Sequence, residues 1–119
     1  MRRIAVVAFA LLLGACAHQP KGLYQWGEYD KGLYGMYEKP ETAEAFRTKL
    51  ETHLNTLEQK KAKVPPGLYA ELGTLYLQKG DRTTALRWYD KERATWPESK
   101  YLMDTMIAAV GKAQEEKTQ

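Results

Sequence analysis

Five apolar residues constrain this chain more than anything else in it. Ala43, Phe46, Leu50, Leu54 and Leu57 recur at steps of 3, 4, 4 and 3. Only an α-helix places all five on one face; a strand would scatter them over both. Pro40 suits the first turn of that helix, where its missing N–H has no partner to lose. Glu41 and Glu44 fall at the positive end of the helix dipole, and Lys60, Lys61 and Lys63 at the negative end. The spacing predicts a helix over 40–62, with Pro65-Pro66 breaking the chain beyond it. His53, isolated beside the stripe, suits a half-buried or solvent-facing side chain better than a ligand.

The same period recurs along the chain. Tyr29, Leu33 and Tyr37 are four apart and predict a helix over 28–38. Tyr101, Met103, Met106, Ile107 and Val110 predict another over 98–112, with the methionines as core filler rather than a copper site. With two further helices over 66–79 and 82–95, the expected fold is all-α with about five helices. The expected organisation is a leader over 1–15, a tether over 16–22, a helical domain over 23–113 and a polar tail over 114–119.

The leader is a different kind of sequence. Met1-Arg2-Arg3 precedes an unbroken apolar run from Ile4 to Leu13. Ten helical residues rise about 15 Å, half of the roughly 30 Å hydrocarbon core, so the run is an export signal rather than a span. Leu13-Gly14-Ala15-Cys16 resembles the bacterial lipobox, in which the Cys thiol receives a diacylglyceryl group and small residues admit the signal peptidase. Acylated Cys16 would then tie the chain to a lipid bilayer. Ala17, in place of Asp, resembles the sorting signal of lipoproteins sent to the outer membrane, on its periplasmic side.

Composition closes off other classes. Without Arg2 and Arg3, sixteen basic residues face fifteen acidic ones. That leaves no surplus for a nucleic-acid face, and no nucleic-acid partner is expected. One Cys forbids an intrachain disulfide, and two His without a second Cys do not make a common zinc pattern. No metal and no cofactor are expected. Ser, Thr and Cys stand in no recognisable nucleophile context, and no phosphate loop occurs, so no enzyme is expected.

Two resemblances organise the rest. Tyr69, Leu72, Gly73 and Tyr76, then Gly80-Asp81, Ala85, Tyr89 and Pro97, resemble the tetratricopeptide repeat. In that pattern Gly73 and Ala85 are small because two helices approach closely there. Where the repeat often has a further small residue, this chain has Glu92. The resemblance implies tetratricopeptide-like helical hairpins, with the 98–112 helix capping an otherwise open apolar face. Across the mature chain, Tyr24-Gln25-Trp26-Gly27-Glu28-Tyr29, then Val64-Pro65-Pro66-Gly67-Leu68-Tyr69-Ala70-Glu71, then Trp96-Pro97-Glu98-Ser99 with Met103-Asp104, resemble a small bacterial lipoprotein family with a domain of unknown function. Its members are typically encoded beside a lipoprotein similar to the curli secretion channel and a third lipoprotein.

That resemblance implies a non-enzymatic accessory or adaptor whose partners are other envelope proteins, with peptidoglycan binding as the alternative. Two surfaces are candidates for the partner. One is the first repeat helix, with Thr74 and Leu77, beside Ala70 and Gln78, turned to the groove. The other is the aromatic segment 24–37, with Tyr24, Trp26, Tyr29, Tyr34 and Tyr37, whose rings are large anchors with few rotamers to freeze. The reading preferred for these rings is an N-terminal cap packed on Phe46, Leu50 and the repeat, because an unpaired repeat needs one.

Overall fold

The computed structural model describes residues 22–116. The expected leader, Cys16 and all but the last residue of the tether lie outside the described residues, as do residues 117–119 of the expected tail. Among the described residues five helices follow in order: α1 (Tyr29–Glu38), α2 (Ala43–Gln59), α3 (Leu68–Gln78), α4 (Arg82–Thr95) and α5 (Lys100–Glu115). No strand occurs among the described residues, and the fold is all-α.

The boundaries follow local chemistry. Pro40 and Pro97 each open a short 3₁₀ turn, Pro40–Thr42 and Pro97–Ser99, so α2 and α5 begin later than their prolines. At its far end α2 stops at Gln59, short of the expected 62. Lys61 turns left-handed with φ 53°, its N–H donates to the Glu58 carbonyl at 2.9 Å, and Ala62 N–H donates to Leu57 at 2.9 Å. These paired bonds satisfy the orphan carbonyls and end the helix before the prolines do. α3 ends in the same way on Gly80 (φ 90°), with Asp81 N–H donating to the Tyr76 carbonyl at 3.0 Å. Asp81 then opens α4, its Oδ1 accepting the Thr84 N–H at 3.0 Å. One turn therefore closes one helix and caps the next.

The α2 stripe builds the larger core. Phe46, Leu50, Leu54 and Leu57 pack with Val64, with Leu68, Tyr69, Leu72 and Leu75 of α3, and with Trp88 of α4. Tyr29, Leu33 and Met36 lay α1 against that cluster. Leu54 is fully enclosed, and burying a side chain of its size contributes about 1.5–3 kcal/mol. A second cluster joins Ala85 and Tyr89 of α4 to Met103 and Val110 of α5, with Ala70 and Leu77 of α3 packed on it. α3 thus serves both clusters. It reaches α4 closely at Gly73, where a Cβ would stand 2.7 Å from two carbons of the Tyr89 ring.

Polar links tie α2 to α3. Arg47 is almost wholly buried and donates to Glu44, to Glu51 at 3.3 Å and to the Tyr76 hydroxyl at 2.6 Å. The Tyr76 hydroxyl donates in turn to Glu51 at 2.6 Å, and the guanidinium lies 4.6 Å from the centre of the Tyr76 ring. The Arg47 hydrogen bond holds the Glu44 carboxyl down at about 2. Further along, Glu58 accepts from Tyr69 and from Lys91, both at 2.7 Å. Burial pushes the Glu58 carboxyl up, but these two donors outweigh it and leave it below its ordinary value.

Candidate functional site

Three stretches far apart in sequence meet at one end of the helices. The segment before α1 is laid beside α2. His53 Nε2 donates to the Gln25 carbonyl at 2.7 Å, and Gly27 (φ 63°) passes so close that a Cβ would stand 3.0 Å from the imidazole. This fixes Tyr24, whose ring meets the Trp96 ring edge-on at 5.7 Å between centroids. Lys63 Nζ stands 3.9 Å from the centre of the same indole, a cation–π contact. Trp96, between α4 and α5, is therefore held by the N-terminal segment and by the α2–α3 loop.

Glu92 completes the junction from α4. Its side chain is fully buried, and its Oε1 accepts the Gly67 N–H at 2.8 Å and the Ser99 hydroxyl at 3.0 Å. The carboxyl group thus sits at the start of α3 and joins it to the turn that opens α5. The small residue expected of the repeat is replaced here by a polar tie. Its Oε2, together with the indole N–H groups of Trp88 and Trp96 one turn away on either side, has no partner among the described residues.

Beside this junction the N-terminal segment, α1 and α2 line an open cleft of about 640 Å³. Trp26, Tyr29 and Gly32 form one wall, Phe46, Leu50 and His53 the other, and Lys31 and Lys49 stand on its rim. Lys31 pairs with exposed Glu28 at 3.7 Å. On the opposite side of the order of helices, α5 turns out a second surface. Tyr101 is 85% exposed and Leu102 58%, beside a shallow groove along Thr105, Ala108, Ala109 and Lys112. No group of three or more His, Cys, Asp or Glu among the described residues is arranged to hold a metal ion.

The expected partner residues divide. Tyr24 packs on Trp96, and Tyr29 is half-buried against Phe46 at 6.0 Å. Both rings belong to the N-terminal closure. Trp26 stays 43% exposed on the rim of the cleft. Thr74 donates to the Ala70 carbonyl and shares a hydrogen bond with the Tyr89 hydroxyl at 3.1 Å. Leu77 packs with the Tyr89 and Met103 cluster. Thr74 and Leu77 are thus half-buried and engaged within the fold, while Tyr34 and Tyr37 of α1 and Tyr101 and Leu102 of α5 turn to solvent. Cys16 lies outside the described residues. Sequence reasoning passed over Arg47 and the tie made by Glu92. Glu44 and Glu51, three before and four after Arg47, were a visible sign of the first.

Residues 23–106 match a family described as Domain of unknown function (DUF4810). That span includes all three converging stretches. No curated protein matches the chain, and no solved structure does.

Proposed function

We propose that this chain, which belongs to the DUF4810 family, is an outer-membrane lipoprotein that recruits other envelope proteins without catalysis. In this reading acylated Cys16 holds the domain on the periplasmic side, and tetratricopeptide-like hairpins present a docking face. The observation that carries the reading is the outer side of α5. Tyr101 and Leu102 stand in solvent on the last helix of the order, where a stack of hairpins would continue. Large, exposed and adjacent, they fit the aromatic and aliphatic anchors from which protein interfaces are built. The family resemblance points to partners among the lipoproteins encoded beside it, one of them similar to the curli secretion channel.

The test is made in cells. Palmitate should label the wild-type chain, and Cys16→Ser should abolish labelling and release the chain from the membrane fraction. Crosslinking followed by mass spectrometry should then recover another lipoprotein with the wild type. Retention on purified sacculi with no crosslinked protein would replace this reading with the peptidoglycan one.

A further inference from the structure

Leu23 and Trp26 pose a question the fold does not answer. Leu23 is 93% exposed, and Trp26 keeps 43% of its surface in solvent although Tyr24 and Tyr29 stand near its ring. Single exposed apolar residues are ordinary. These two lie three positions apart on a segment held to α2 between them by the His53 bond to Gln25. Lysines stand on the Trp26 side of this end. Lys31 and Lys49 stand on the rim of the adjoining cleft, and Lys63 reaches the Trp96 ring that Tyr24 also contacts. Glu28 is the acid on that rim, and it is paired with Lys31; Lys49 makes no ion pair among the described residues.

We propose that this end of the domain rests on the phospholipid surface, with Leu23 and Trp26 at the acyl boundary and Lys31, Lys49 and Lys63 against the phosphates. The proposal rests on the acylation of Cys16 and adds to it an orientation. Residues 17–21 alone separate Cys16 from the first described residue. Even fully extended, at about 3.3–3.6 Å per residue, they allow a reach of about 20 Å. The end of the domain that carries Leu23 is therefore held within roughly the diameter of a small helix pair from the lipid. An indole favours the headgroup zone because its ring is apolar and its N–H polar. Lysines there face the anionic lipids of the leaflet. A protein partner for the same patch would have to enter between the domain and the bilayer to which it is tethered.

The experiment uses the full chain, produced with its own leader and purified from membranes. Intact mass first establishes whether Cys16 carries its acyl groups. The protein is then placed in vesicles of zwitterionic and anionic phospholipid, with and without bromine at a shallow acyl carbon, and tryptophan fluorescence is read. Brominated lipid should quench the wild type, and Trp26→Phe should remove the quenching, because Trp88 and Trp96 are 8% and 5% exposed. Reversing Lys49 and Lys63 to Glu should weaken it. Acylated protein whose fluorescence is the same in both lipids, or whose quenching survives Trp26→Phe, would overturn the proposed surface while leaving the anchor intact. Quenching unchanged by the charge reversal would overturn the phosphate contacts. A mass without acyl groups would overturn the anchor, and the surface with it.

Discussion

Replacing Gly73 with Ala adds one methyl group where α3 meets α4. The new Cβ would lie 2.7 Å from Cδ1 and Cε1 of Tyr89 and 3.1 Å from the Ala85 carbonyl oxygen. Neither neighbour yields easily. The Tyr89 ring is fully buried with its hydroxyl bonded to Thr74, and the carbonyl is backbone inside α4. Overpacking costs about 1–3 kcal/mol, and these rigid neighbours put the cost in the upper half of that range. Against it stands the gain of about 1 kcal/mol from replacing Gly by Ala within a helix. The net loss is about 1–2 kcal/mol, a fall in Tm of about 5–15 °C for a domain of this size. Thermal unfolding followed by far-UV circular dichroism measures it. Gly35→Ala is the control: nothing lies within 4 Å of its would-be Cβ in α1, so only the propensity gain applies and Tm should rise. If Gly73→Ala melts at or above the wild-type temperature, the close approach of α3 to α4 is refuted.

Three further changes test the polar and backbone features. Glu92→Ala removes the acceptor of Gly67 and Ser99 and should cost about 2–3 kcal/mol in chemical denaturation, as for two buried donors left without their acceptor; Glu92→Gln, which keeps one acceptor oxygen, should cost less, and equal losses would contradict the tie. Because the Arg47 bond holds Glu44 at about 2, below the ordinary 4.5, its contribution is complete above pH 4.5 and disappears as pH falls toward 2. Glu44→Gln should therefore flatten stability against pH in that window, and an unchanged slope would show the pair to be inert. Lys61→Gly relieves a left-handed residue at the end of α2 and should stabilise by about 1 kcal/mol; a lower melting temperature would contradict the strained turn.

The parts legible in the sequence are those governed by neighbours a few residues away. The α2 stripe, the small residue at Gly73 and the prolines before α2 and α5 each act through helical spacing or a fixed φ, and all five helices could be read from such signals. The end of α2 was not legible, because Lys60-Lys61-Ala62-Lys63 carries no glycine to announce a left-handed turn. Nor were the meetings of Tyr24 with Trp96 or of Gly67 with Glu92 and Ser99 legible, since they depend on how separate helices dock. The same limit applies to Thr74 and Leu77. Periodicity places both on α3, but whether they face solvent depends on Tyr89 and on the path of α5.

Recruitment through the outer side of α5 is tested most directly by site-specific photocrosslinking in living cells. A photoreactive side chain at Tyr101 or Leu102, both exposed, is compared with one at Asn55, exposed on α2. The expected result is a covalent adduct with another envelope lipoprotein from positions 101 and 102 and none from position 55. No protein adduct from 101 or 102, or equal adducts from all three positions, would contradict α5 as the docking face.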